Sequence, residues 1–174
     1  MKWIFAYGSL LWRPGFEFKR VKKASVRGWE RRLWHSSTDH RGTPELPGRV
    51  ASIIPMEAGY CEGLVYEISD SKWDKAIKYL DEREKNGYER IVISVDVEGL
   101  GLVQSTTYMS KSEEGWVASN EKDEETIYFL LNAVGESGKN LDYLLTLGST
   151  LDELGIEDAH VGKLRKMVKE RLGH

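Results

Sequence analysis

The sequence predicts an α+β fold, and three observations carry the prediction. Segments with strand patterning dominate the first 110 residues, whereas segments with helical periodicity gather towards the end. That order points to α+β packing rather than to alternating βαβ units. The third observation is size: 174 residues, 40% apolar and 30% charged, suit one domain spanning residues 1–174 with a real core.

Residues 3–7 form a short apolar run stopped by Gly8-Ser9, which suits a buried strand. A loop follows through Pro14-Gly15. From Ala24 to Trp34, the residues Val26, Trp29, Leu33 and Trp34 mix with arginines, as in a long strand whose exposed face carries charge. Ser36 to Arg49 is dense in turn formers, and a loop that long inside a compact domain is usually functional. Val50–Ile54 and Glu62–Ile68 read as two further strands, with Leu64, Tyr66 and Ile68 on one face of the second.

Around Ser71 the period changes. Trp73, Ala76, Ile77 and Leu80 fall at i, i+3, i+4 and i+7, with Ser71 as N-cap, Asp74 three residues later and Asn86-Gly87 as the stop. Ile91–Val97 and Leu102–Tyr108 return to strand character, joined by Glu98-Gly99-Leu100-Gly101 as a hairpin connection. Ile127, Leu130, Leu131 and Val134 predict a helix near 121–134. Leu141, Leu144, Leu145 and Leu151 predict another, and Val161, Leu164 and Val168 a last one. The acidic stretch 113–125 reads as a solvated loop and helix start, where carboxylates suit the dipole.

Lys+Arg 25 against Asp+Glu 28 gives a net charge of −3, so no global basic field exists to hold nucleic acid or an anionic membrane. The run Lys19, Arg20, Lys22, Lys23, Arg27, Arg31 and Arg32, interleaved with Trp29 and Trp34, is the one place where single-stranded RNA would bind. A solvated strand face is the favoured reading, and no nucleic-acid partner is expected. The lone Cys61 forms no intrachain disulfide, builds no cysteine-rich metal site and reads as packing on a strand, which makes a reducing, cytoplasmic compartment the expectation. The N-terminal apolar run breaks at Gly8, and no apolar stretch approaches the ~20 residues of a membrane span. His35 and His40 lack metal-ligand spacing, and neither a G-x-G-x-x-G nor a P-loop is present, so no metal or cofactor is expected. Oligomeric state has no signature in the sequence.

Three segments offer chemistry. Tyr7-Gly8-Ser9-Leu10-Leu11-Trp12 ends the first strand in a glycine turn, which either merely reverses the chain or presents successive N–H groups to a carboxylate or developing oxyanion. Asp81-Glu82-Arg83-Glu84-Lys85 ends the Trp73 helix. At ~100° per residue Glu84 falls about 20° from Trp73, on the apolar face, and Glu82 about 180° away. A carboxylate turned inward is a candidate for proton transfer; the alternative is a surface charge cluster with Arg83 and Lys85 at a frayed helix end. The Ser36–Arg49 loop carries arginines suited to clamping a carboxylate, or else to pinning the loop.

Taken together, Tyr7–Trp12, Ser37-Thr38-Asp39-His40-Arg41-Gly42 with Pro47-Gly48-Arg49-Val50, Tyr79-Leu80-Asp81-Glu82-Arg83-Glu84-Lys85-Asn86-Gly87-Tyr88, and Gly135-Glu136-Ser137-Gly138-Lys139-Asn140-Leu141-Asp142-Tyr143-Leu144 closely resemble the ChaC-type γ-glutamylcyclotransferases specific for glutathione. The resemblance covers nearly the whole chain; Ala6 stands where the family usually has glycine. It implies a small, closed or nearly closed β-sheet or barrel core with flanking helices, and a cofactor-free cyclisation of glutathione to 5-oxoproline and Cys-Gly. It also implies Glu84 as catalytic acid/base and Tyr7, Gly8, Ser9 and Leu10 as the γ-glutamyl-binding turn. Arg41, Arg49, Tyr108 and Tyr143 match positions near the pocket. Cyclotransfer on γ-glutamylamines and a non-catalytic RNA- or protein-binding module are the competing readings.

Overall fold

The computed structural model describes residues 1–113 and 115–173; Glu114, within the acidic stretch, and His174 lie outside the described residues. In chain order the elements are β1 (Lys2–Ala6), β2 (Arg20–Ser37), β3 (Gly48–Ile68), α1 (Asp70–Arg83), β4 (Tyr88–Val97), β5 (Gly101–Ser110), α2 (Asp123–Asn132), β6 (Val134–Gly135), β7 (Gly138–Lys139), α3 (Asn140–Leu154) and α4 (Ala159–Arg171). Five strands close into a barrel in the order β1-β3-β2-β4-β5, the α+β architecture expected, and β6 and β7 form a separate hairpin. The chain divides into two compact units, Met1–Glu30 with Ile53–Ser110, and Arg31–Ser52 with the chain from Lys111 onward. Among the described residues no helix is long and apolar enough to cross a membrane.

In the first unit β1 runs antiparallel to β3 from Lys2↔Ile68 to Ala6↔Leu64, and β4 to β5 from Tyr88↔Ser110 to Val97↔Gly101. A parallel pair, Ile4↔Thr106, closes the barrel between β1 and β5. Side chains reinforce that seam: Thr107 Oγ1 donates to the Phe5 carbonyl at 2.9 Å, and the Tyr7 hydroxyl to the Tyr108 carbonyl at 2.6 Å. Ile4, Phe5, Val65, Ile68, Leu80 and Val95 are wholly buried in this unit's core.

Two expectations are corrected here. Val50–Ile54 and Glu62–Ile68 belong to one strand, β3. The residues between them, with Pro55 and Gly59, carry weak strand propensity, but pairing within the barrel overrides it. Gly59 lets the chains approach closely, since a Cβ there would stand 2.8 Å from the Trp29 carbonyl carbon. The α1 N-cap is Ser69 rather than Ser71, and the two hydroxyls lie 3.2 Å apart, bonded to each other instead of capping the helix.

In the second unit the helices bury Ile127, Leu130, Leu144, Leu147 and Leu164 completely, together with Leu33 of β2. The expected helix near 121–134 stops at Asn132, because Val134 pairs with Lys139 in the β6–β7 hairpin and is half exposed. The acidic stretch is not wholly solvated either. Val117 bridges His35, Trp116 stacks on the His35 ring at 5.7 Å, and Glu121 is nearly buried. Nor is the basic run a uniform charged face: Arg31 is buried against Asp158 at 2.6 Å, and Arg20 pairs with Glu67. Cys61 is buried in β3.

Candidate active site

In the first unit, β1 delivers Tyr7 into the core and the chain then tightens into a 3-10 turn over Ser9–Leu11. Leu11 N donates to Gly8 O at 2.9 Å, and Arg13 N to Ser9 O at 2.9 Å. Two side chains from distant segments hold this turn. The Tyr66 hydroxyl donates to Leu10 O at 2.7 Å, and Arg83 Nη2 to Ser9 Oγ at 2.9 Å. Tyr66 packs against Phe16 and Phe18, and burial pushes its phenol up to about 12, so it remains a donor throughout the physiological range.

Glu84 is the C-cap of α1; its amide donates to Leu80 O at 2.8 Å. Its side chain is 16% exposed and that of Glu82 is 76% exposed, the division drawn by the helical wheel. Glu82 pairs with Lys85 at 2.8 Å in solvent, and this hydrogen bond and charge hold its carboxyl below the ordinary range. Glu84 Oε1 lies 3.5 Å from Arg83 Nε.

Tyr108 of β5 is buried, and its hydroxyl donates to Asp81 Oδ1 at 2.7 Å, while Arg90 holds Asp81 Oδ2 at 3.0 Å. Burial first, then the Asp81 hydrogen bond, pushes the Tyr108 phenol well above its usual value. The Tyr108 carbonyl receives the Tyr7 hydroxyl. The first unit thus holds Tyr7, Gly8, Ser9, Leu10, Glu84 and Tyr108, linked through Arg83 on one side and through Tyr108 on the other.

The second unit holds Arg41, Arg49 and Tyr143. The α3 N-terminus fastens the start of β3: Asn140 Oδ1 accepts from Arg49 N at 2.8 Å, Asn140 Nδ2 donates to Arg49 O at 2.9 Å, and the Tyr143 hydroxyl accepts from Ala51 N at 3.1 Å. Arg41 lies over the Tyr143 ring at 5.8 Å and donates to Lys139 O at 3.1 Å. The loop closes because two glycines meet: a Cβ on Gly42 would stand 2.2 Å from Gly48 N. Arg49 lies 4.0 Å over Phe129, and its Nη2 and Nε grip Glu121 at 2.7 and 2.9 Å. A guanidinium held in this way pins structure, so of the two loop arginines read as carboxylate clamps, Arg49 has its fork filled by a protein carboxylate.

Reading the residues one by one missed Arg83, Tyr66, Asn140 and Glu121 as parts of this framework. Arg83 and Asn140 stand inside the family-like motifs, but nothing in their spacing shows what they bond. Among the described residues no group of three or more His, Cys, Asp or Glu is placed to hold a metal ion.

Residues 2–171 match the family described as ChaC-like protein. The chain is 34% identical over 149 residues to glutathione-specific gamma-glutamylcyclotransferase 1 of Danio rerio, covering 83% of this chain and 76% of that one. Against the protein of the same name from Homo sapiens it is 32% identical over 169 residues, covering 93% and 76%. The crystal structure of a yeast gamma-glutamylcyclotransferase specific to glutathione superposes with a TM-score of 0.90 at 26% identity, over 97% of this chain and 96% of that chain.

Proposed function

The chain belongs to the ChaC-like family, and from that premise we propose that it is a γ-glutamylcyclotransferase that degrades glutathione. The observation that carries the chemistry is a nearly buried glutamate, Glu84, tied through Arg83 to the turn that follows β1. In the reaction the α-amine of the γ-glutamyl residue attacks its own γ-carbonyl. A new C–N bond closes a five-membered lactam, the amide C–N bond to cysteine breaks, and 5-oxoproline and Cys-Gly leave without consuming water.

An α-amine ordinarily titrates at about 7.7–8.0, so it is mostly protonated at neutral pH and attacks only after losing a proton. Glu84 accepts that proton and returns it to the departing nitrogen; a second proton, lost by the attacking nitrogen as the lactam forms, follows the same route, so Cys-Gly leaves as the ammonium and one carboxylate serves both halves. Amides of Gly8–Leu10 orient the γ-glutamyl group and receive the charge that develops on the carbonyl oxygen. Tyr7 and Tyr108 act as frame for this turn. In the second unit Arg41 lies over the Tyr143 ring and Arg49 is pinned by Glu121. Residues 1–174 act as one domain on this reading, since β2 and β3 each contribute residues to both units. A glutathione-degrading enzyme with one cysteine fits the cytoplasm.

The test is direct. Purified protein incubated with glutathione alone should release 5-oxoproline and Cys-Gly in equal amounts, without added metal or nucleotide. Activity that disappears on chelation and returns with a divalent ion would refute the cofactor-free mechanism; no product at all would refute the function.

A further inference from the structure

One side chain of the first unit touches both segments that the proposed chemistry needs. Arg83 is the last residue of α1, and its side chain is only 7% exposed. Its Nη1 donates to Arg13 O at 2.6 Å, Pro14 O at 3.3 Å and the Tyr79 hydroxyl at 3.2 Å. Its Nη2 donates to Ser9 Oγ at 2.9 Å, while Nε lies 3.5 Å from Glu84 Oε1. This is not the surface charge cluster that a frayed helix end would produce.

A guanidinium is planar and holds its five N–H donors at fixed angles. Meeting these acceptors together therefore fixes the separation between the Ser9–Pro14 segment and the end of α1. One of those segments carries the substrate turn and the other carries the base. We infer that Arg83 is a positioning residue for the cyclisation, setting the distance from the γ-glutamyl-binding turn to the Glu84 carboxylate; the inference rests on the function proposed above. Arg83 moves no proton. Its effect is geometric, and a misplacement of about 1 Å in such a site costs on the order of 10²-fold in rate.

The experiment uses the full chain with Arg83→Met, Arg83→Lys, Ser9→Ala and the Arg83→Met/Ser9→Ala double variant. Steady-state kcat and KM for glutathione are read beside amide hydrogen exchange at Leu11, Trp12 and Arg13, whose partners lie within the turn. Arg83→Met should lower kcat/KM by about 10²-fold, with kcat falling as well as KM rising, and should quicken exchange at those three amides while the β4–β5 ladder keeps its protection. Arg83→Lys should recover only part, because an ammonium lacks the fork. The double variant should lose less than the product of the single losses, since both substitutions cut one link. Kinetic constants of Arg83→Met within about threefold of wild type, exchange that quickens equally across the barrel, or strictly multiplicative losses would each overturn the inference. A wild-type protein that makes no 5-oxoproline would fail the functional reading instead, and the exchange data would still decide whether Arg83 holds the turn.

Discussion

Replacing Glu84 and Glu82 in parallel tests the base with an internal control two residues away. Glu84→Gln keeps the size of a side chain that is 16% exposed and leaves an amide in contact with Arg83, but it removes the proton-accepting charge. Loss of a general base typically costs 10²–10⁴-fold, which converts to about 2.7–5.4 kcal/mol of barrier. Arg83 retains Ser9 Oγ, Arg13 O, Pro14 O and the Tyr79 hydroxyl, so the variant should stay folded. Glu82→Gln breaks an exposed pair with Lys85 that solvent already screens, and kcat should stay within about twofold of wild type. The assay measures kcat for both variants with binding of an inert glutathione analogue and thermal unfolding. Near-normal turnover by Glu84→Gln would refute the assignment of the base. Equal loss in both variants would mean that the helix end as a whole, not one carboxylate, is what matters.

Other expectations follow from single contacts. Thr107→Val removes the hydroxyl that satisfies the Phe5 carbonyl at the barrel seam; it should cost about 1–3 kcal/mol, or roughly 2–4 °C of Tm per kcal/mol, read by thermal unfolding. Glu121→Gln leaves the buried Arg49 guanidinium without its counter-charge, and about 3–5 kcal/mol should be lost in denaturant titration, far more than for an exposed pair. His160 accepts from Leu33 N at 3.0 Å, and burial, helped by Arg32, lowers its pKa from 6.5 to about 4. The unfolded chain therefore binds the proton first, so stability should be complete above pH 6.5 and fall by roughly 3 kcal/mol as pH drops towards 4; His160→Gln should flatten that slope.

The strands and helices were legible because burial imposes period, and the closed barrel was legible only through the family resemblance. The Ala76, Ile77 and Leu80 stripe faces the core that its spacing implies, and the Ile4-Phe5 run is buried as an apolar run should be, but the one-faced alternation of Leu64, Tyr66 and Ile68 is not what the strand shows, since Val65 and Glu67 between them are buried as well. The same arithmetic separated Glu84 from Glu82. It failed where long-range pairing overrides local preference, as through Pro55–Gly59 inside β3, and where a hydroxyl bonds its neighbour instead of a helix end, as at Ser69. It also failed for Glu121, since a carboxylate in an acidic stretch looks solvated until Arg49 is seen across from it. Motif resemblance located the turn, the loop and the glutamate together, but a motif says which residues recur and not which atoms they hold.

What holds those segments in place has a common form. The turn after β1 and the loop before β3 lie beyond the ends of their ladders, where backbone partners run out. Each is fixed by groups far away in sequence: the Tyr66 and Arg83 side chains for the turn, and for the loop the backbone of the β6–β7 hairpin, where Glu136 N and Ser137 N donate to Asp39 O and His40 O at 2.9 and 2.8 Å, with Asn140 fastening Arg49 where β3 begins. The chemistry of these holders explains the choice. Asn140 is wholly buried and presents a donor and an acceptor to the two backbone groups of one residue, a match no apolar or singly polar side chain of that size reproduces. Arg83 meets four acceptors from a single plane. Because a buried polar group left without its partner costs about 1–3 kcal/mol, each holder links loop position to fold stability. A loop held this way has little freedom left to lose when substrate binds, which is the condition under which binding energy goes into orienting the reacting groups rather than into ordering the protein.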